Sequence, residues 1–190
     1  MHLELQSLPH LRATRSEFAD YTFANLQTVM VGARAVLMEK FQATRALELI
    51  EKHRATFIPT APASLLALLN VPDFQKYNCT SLRVVITGGA SAAIETIRAY
   101  QKQMKGHLLE LYGMLETGFH TFTRFGDDPE TVNGTIGRIV GQMELRIIDE
   151  EGKDVPYGLE GEIAAYGPSV HLGYFNNPIA NKELFTNDDW

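Results

Sequence analysis

The sequence holds a single cysteine, Cys79, among its 190 residues. One thiol closes no internal disulfide and builds no cysteine-based metal cluster, so a reducing, cytoplasmic setting is expected. Long apolar runs are missing too: none approaches the roughly 20 residues of a membrane-spanning helix. The opening Met1-His2-Leu3-Glu4 has no basic stretch leading into an apolar one, so no secretory signal is read there. Positive charge is in deficit. The 17 Lys and Arg stand against 23 Asp and Glu, a formal charge of −6, and no cationic excess is left to neutralise the phosphates of a nucleic-acid partner. Internal repeats and low-complexity linkers are also absent, so the parts of the chain are expected to pack together. His53, His107, His120 and His171 show no metal-ligand spacing and are read as structural or surface residues.

What remains is an ordinary globular composition, 45% hydrophobic and 21% charged. The length suits one domain, or one domain with a small appendage, and supplies a sizeable core. Residues 1–20 are poorly patterned, with His10, Arg12 and Arg15 among few apolar positions, and are expected to be irregular. From 21 to 133 strand-like runs alternate with helical ones. Arg34–Met38 reads as a strand, and Thr44–His53 as a helix with Thr44 as its cap and Leu47 and Ile50 at helical spacing. Thr56–Ile58 is a second short strand. A helix then begins near Pro62 and carries Leu65, Leu66 and Leu69.

Leu82–Thr87 is the clearest strand and runs into Gly88-Gly89-Ala90-Ser91, followed by a helix that Gly106 is expected to cap. His107–Tyr112 is the next strand and leads to Gly113. Strands separated by helices predict βαβ units, hence an α/β fold with a parallel sheet and flanking helices. Ligands of such sheets sit outside the carboxyl ends of the strands, where Pro59–Pro62, Thr87–Ser91 and Tyr112–Glu116 all fall. From 134 to 190 the pattern changes. Glu144–Asp149 and Gly161–Ala165 read as strands joined by a polar turn at Glu150-Glu151-Gly152, which predicts a small β-rich subdomain.

Thr87-Gly88-Gly89-Ala90 and Leu111-Tyr112-Gly113-Met114-Leu115-Glu116 therefore stand out. They supply a flat aromatic ring, glycine backbone that a ligand can approach, and a carboxylate suited to a hard cation. Each has a plainer explanation. Tyr112 serves equally as a core-edge aromatic, Gly88-Gly89 as a tight strand-to-helix turn, and Glu116 as a solvated acid near a helix start. Gly173-Tyr174 is read as a turn and packing pair.

In order and spacing these segments resemble the adenylate-forming acyl- and aryl-CoA synthetases, a superfamily that includes luciferases and peptide-synthetase adenylation domains. Ile86-Thr87-Gly88-Gly89-Ala90 is similar to the family's strand and Gly-Gly-Ala turn, and Tyr112-Gly113-Met114-Leu115-Glu116 to its Tyr-Gly-x-Thr-Glu motif. Gly134-Thr135-Ile136-Gly137-Arg138 fits the spacing that follows. Gly161-Glu162-Ile163, Gly167, Gly173-Tyr174 and Pro178 are similar to its Gly-Glu-Leu…Gly…Gly-Tyr…Pro signature.

The resemblance implies a two-step reaction using ATP, Mg²⁺ and coenzyme A. A carboxylic acid attacks the α-phosphate of ATP to give an acyl-adenylate and pyrophosphate, and a thiol then displaces AMP. It implies that Tyr112 stacks on adenine, with Gly88, Gly89 and Ala90 as the opposite wall. Gly113 and Met114 pass beside the adenylate and acyl group, and Glu116 helps hold Mg²⁺. Phe18, Tyr21 and Phe23 fall where the family places an aromatic wall of the acid pocket, although core packing explains them as well.

The sequence also departs from the family. Leu115 stands where a threonine hydroxyl would bond the α-phosphate. The Ser/Thr/Gly-rich phosphate loop ending in Pro-Lys-Gly is not among these residues and is expected upstream of Met1. The Thr-Gly-Asp segment whose aspartate binds ribose is expected beyond Trp190, so Asp188 and Asp189 are not given that role. The C-terminal domain with its lysine is likewise outside the 190 residues, and the resemblance covers about the middle third of a full enzyme. The expectation is a piece of an acid–CoA ligase, with no complete catalytic set and no turnover alone, that self-associates through faces its missing parts would cover. The alternatives are a piece of another adenylate-forming enzyme, such as a peptide-synthetase adenylation domain, and a noncatalytic binding module.

Overall fold

The computed structural model describes the backbone of residues 9–13 and, in full, residues 28–186 and 190. Phe18, Tyr21 and Phe23 lie outside the described residues, as do Asp188 and Asp189. The chain divides into two units, Met1–Leu111 with Thr123–Gly137, and Tyr112–Phe122 with Arg138–Trp190.

In the first unit, β1 (Pro9–Ala13), β2 (Arg34–Met38), β3 (Phe57–Thr60), β4 (Val84–Gly88) and β5 (His107–Met114, up to Leu111) make a parallel sheet. The strand order is β2-β1-β3-β4-β5, with Thr87 opposite Glu110 and Gly88 opposite Leu111. A strand at Pro9–Ala13 corrects the expectation of an irregular start: five backbone pairs with Arg34–Met38 organise a stretch that carries no alternation of its own.

The connecting helices are α1 (Ala43–His53), α2 (Pro62–Leu69), α3 (Ile94–Gln103) and the short α4 (Pro129–Gly134). Helical spacing puts Ala46, Leu47, Leu49 and Ile50 of α1 inside, with Ile97 and Tyr100 of α3. These meet Val36, Ile58, Val85 and Leu108 from the strands in one apolar core.

Two local expectations are corrected. Thr44 does not cap α1: the cap position is Gln42, without a side-chain cap bond, and the helix already includes Ala43. In α2, begun by Pro62 as expected, Leu68 is buried beside Leu65 and Leu69, while Leu66 is exposed. Gly106 is not a helix cap, because α3 ends at Gln103 and Met104 is extended. Glycine is needed at 106 for close approach: a Cβ there would lie 2.8 Å from the Leu82 carbonyl oxygen.

The second unit takes in Tyr112–Phe122 as well as most of the 134–190 stretch expected to be β-rich. Following the end of β5, β6 (Gly118–Phe122) pairs antiparallel with the short β7 (Arg138–Ile139). β8 (Glu144–Ile148) and β9 (Glu162–Tyr166) form an antiparallel ribbon paired over five positions. Their connection starts in a turn built on Asp149, whose Oδ1 accepts from the Glu151 and Lys153 amides at 3.0 and 2.9 Å. α5 (Pro178–Leu184) begins with Asn177 as cap, its Oδ1 accepting from the Ala180 amide at 3.3 Å, and with Pro178 in the first turn.

Candidate functional site

In the first unit the Gly88–Ala90 turn follows directly from β4. Gly88 is glycine for packing: a Cβ would press on the Leu111 side chain and come 2.9 Å from the Leu111 carbonyl oxygen. Gly89 is glycine for conformation, with φ of +79°, and a Cβ there would meet nothing within 4 Å. Ala90 is exposed. The turn thus has a rigid root and an open tip.

Beneath it lies a polar pair that sequence reasoning missed. Thr87 is fully buried and Glu110, opposite it in the sheet, is 7% exposed. Thr87 Oγ1 and Glu110 Oε2 both lack a hydrogen-bond partner. Burial pushes the Glu110 carboxyl up to about 7, opposed by a hydrogen bond from the Ala92 amide. The Glu110 amide donates to Thr123 Oγ1 at 2.9 Å, and the Thr123 amide donates to the Glu110 carbonyl oxygen at 3.0 Å. The signal was one acid inside the apolar run His107-Leu108-Leu109-Glu110-Leu111.

In the second unit Tyr112, Gly113, Met114 and Glu116 come together as the end of β5 and the turn into β6. The Thr117 amide donates to the Met114 carbonyl oxygen at 3.4 Å, which puts Leu115 and Glu116 at the corner of a tight turn. Gly113 is glycine because a Cβ would run into the Gly118 carbonyl oxygen and lie 2.9 Å from Phe119 Cα. Met114 and Leu115 are exposed. The Tyr112 ring meets the His120 ring at 5.4 Å in an edge arrangement.

His120 is buried, the structural of the two readings given for it. Its Nε2 contacts Thr117 Oγ1, its Nδ1 has no partner, and burial holds its pKa below the usual imidazole value. The ring beside Tyr112 is therefore neutral at neutral pH.

Glu116 is tied at two points. Its carbonyl oxygen accepts from the His171 amide at 2.7 Å, and its Oε1 accepts from the Tyr174 hydroxyl at 2.6 Å. The Tyr174 hydrogen bond, helped by the residue's own amide, holds this carboxyl below its ordinary range, so it is an anion. Tyr174, read as a packing residue, thus makes a specific polar contact. Met114, Glu116, Thr117, His120, His171 and Phe185 help line a cavity of about 310 Å³ in this unit. Among the described residues no group of three His, Cys, Asp or Glu side chains could hold a metal ion. No helix among them is long and apolar enough to cross a membrane.

Residues 18–175 match the family of AMP-binding enzymes. The chain is 32% identical over 171 residues to 3-[(3aS,4S,7aS)-7a-methyl-1,5-dioxo-octahydro-1H-inden-4-yl]propanoyl:CoA ligase of Rhodococcus jostii, covering 90% of this chain and 31% of that protein. It is 34% identical over 164 residues to 4-coumarate-CoA ligase 1 of Narcissus pseudonarcissus, covering 84% and 30%. The fold superposes on ATP-bound MatB from Rhodopseudomonas palustris with a TM-score of 0.84 and 27% identity, over 96% of this chain and 36% of that one. The chain spans about a third of the length of each of these proteins. The matched span contains the Gly88–Ala90 turn, the Tyr112–Glu116 turn and Tyr174, and with it the chain belongs to the AMP-binding, adenylate-forming enzymes.

Proposed function

We propose that this chain contributes the adenylate-handling part of an ATP-dependent acid–CoA ligase. The observation that carries the reading is the likeness to CoA ligases through the Tyr112–Glu116 turn. In this reading the carboxylate oxygen of the acid attacks the α-phosphate, pyrophosphate leaves, and a thiol then attacks the acyl carbon and releases AMP. The chain's residues bind and orient, which is where most of the rate in such transfers originates.

Gly88, Gly89 and Ala90 are the nucleotide contacts proposed for the first unit, where the open tip at Gly89 admits a ligand to the backbone. Tyr112, Gly113 and Met114 are those proposed for the second. The neutral His120 ring supports Tyr112 for stacking on adenine, and exposed Met114 offers apolar surface to the acyl group. Glu116 is the proposed Mg²⁺ ligand. An anionic carboxylate fits this ion, which keeps several waters and takes one or two carboxylates plus substrate phosphates. Bound Mg²⁺ would neutralise phosphate charge. Leu115 offers no hydroxyl to the α-phosphate, and these 190 residues carry no Pro-Lys-Gly phosphate loop. The polypeptide is therefore expected to bind an adenylate without turning over.

Calorimetric titration with AMP and with a stable acyl-adenylate mimic tests this. Stacking on an aromatic contributes about 1–3 kcal/mol, so Tyr112→Ala should weaken both ligands by roughly fivefold to a hundredfold. Equal binding by the wild type and the variant would remove Tyr112 from the site.

A further inference from the structure

Glu116 is held by a chain of contacts that begins far away in sequence. The Tyr174 hydroxyl reaches Glu116 Oε1 at 2.6 Å, across 58 positions. One side chain grips the backbone of Tyr174 from both sides: its amide donates to Asn181 Oδ1 at 2.6 Å, and Asn181 Nδ2 donates to its carbonyl oxygen at 2.9 Å. Asn181 comes this close because residue 173 has no side chain. A Cβ on Gly173 would lie 3.0–3.1 Å from the Asn181 amide atoms, and the φ of +117° suits glycine. Asn181 sits on α5, whose start Asn177 and Pro178 define. The His171 ring packs at 5.1 Å against the Tyr174 ring, while the His171 amide holds the Glu116 carbonyl. The Gly173-Tyr174…Pro178…Asn181 pattern therefore has a purpose beyond making a turn. It aims one phenol at one carboxylate oxygen.

We propose that Tyr174 is the positioning residue of Glu116 and that, by occupying Oε1, it makes Glu116 a one-oxygen ligand selective for Mg²⁺ over Ca²⁺. This rests on the reading of Glu116 as the Mg²⁺ ligand. Mg²⁺ demands near-octahedral geometry at roughly 2.0–2.1 Å and keeps waters, so one carboxylate oxygen satisfies it. Ca²⁺ takes about 6–8 oxygens and gains from a carboxylate that chelates through both. A carboxylate with one oxygen engaged by a phenol keeps the first mode and is handicapped in the second. A packing role for Tyr174 would weaken both ions alike and leave their ratio unmoved.

The test uses the 190-residue chain and metal ions alone. Mn²⁺ broadening of the amide NMR signals of residues 114–117 reports occupancy, and Mg²⁺ and Ca²⁺ are added as competitors. Tyr174→Phe keeps the ring and removes only the hydroxyl, and should shift the Mg²⁺:Ca²⁺ preference about fivefold toward Ca²⁺. Asn181→Ala should shift it the same way by less. An unchanged preference in Tyr174→Phe, with an otherwise native spectrum, overturns the proposal. Glu116→Gln separates the two readings. If it abolishes the broadening while Tyr174→Phe changes nothing, the role of Tyr174 alone falls. If the broadening survives Glu116→Gln, the metal reading of Glu116 falls and takes this proposal with it.

Discussion

The two units differ in how much apolar side chain they bury. In the first, α1, α2 and α3 press Leu47, Ile50, Leu65, Ile97 and Tyr100 onto Val85 and Leu108 of the sheet. In the second, the buried hydrophobics among the described residues are Met143, Ile148, Ala164 and Ala165, beside buried His120 and Thr121. There, directional contacts hold the structure: Tyr174 to Glu116, Asn181 to Tyr174, and Asp149 to its turn amides. Apolar burial is non-directional and tolerates small shifts, whereas a hydrogen bond fails with a fraction of an ångström. Glu116 therefore stands in the unit where position is set atom by atom.

The strongest way to break this contrast is to open the first core. Leu47→Ala should cost about 2–5 kcal/mol, read as a lower urea midpoint. A loss near zero would mean that the helical layer does not carry the unit's stability.

Next is pH. The Glu110 carboxyl titrates near 7 in the folded chain against 4.5 for the free group, so between these values the native state binds more protons than the unfolded state. Stability should therefore fall as pH rises from about 4.5 to about 7 and level off above, by on the order of 3 kcal/mol. Glu110→Gln should remove that slope and make the variant the more stable form at pH 8. Unfolding curves at pH 5 and pH 8 decide it, and parallel pH profiles for both proteins would contradict the burial account.

Gly113→Ala sharpens the comparison inside the second unit. Its Cβ meets backbone rather than a side-chain tip, so relief requires main-chain movement at about 1–3 kcal/mol. Faster amide exchange confined to the β5–β6 turn is the expected signature. The smallest effect is Asn177→Ala, which removes the α5 cap for about 1 kcal/mol and should loosen Asn181 and Tyr174 before the unit unfolds. Unaltered exchange of the Tyr174 amide would separate the cap from the clamp.

Much of the first unit was legible because its signals are local. Leu47 and Ile50 at helical spacing, Pro62 at a helix start and the apolar run into Thr87 each need only near neighbours in the chain. α4 was overlooked although Asp128-Pro129 announces it: the Asp128 carboxylate accepts from the Thr131 amide at 2.9 Å. α5 carries the same kind of signal in Asn177-Pro178. The strand at Pro9–Ala13 lacked any such mark, since its neighbours' backbones define it.

The sequence by itself determined the βαβ order, the β-rich end, and the family through short motifs whose residue types and spacing are local properties. Only the tertiary structure decided why each marked residue is what it is. Gly106 was expected to end a helix and instead passes the Leu82 carbonyl, while Gly113 yields to the Gly118 carbonyl. Glu110 reads as one acid in a strand until Thr87 is found opposite it in a buried layer. Tyr174 was indistinguishable from a packing residue until its hydroxyl met Glu116. Periodicity reports which face of an element turns inward, but a contact between residues 58 positions apart depends on every turn and strand register between them.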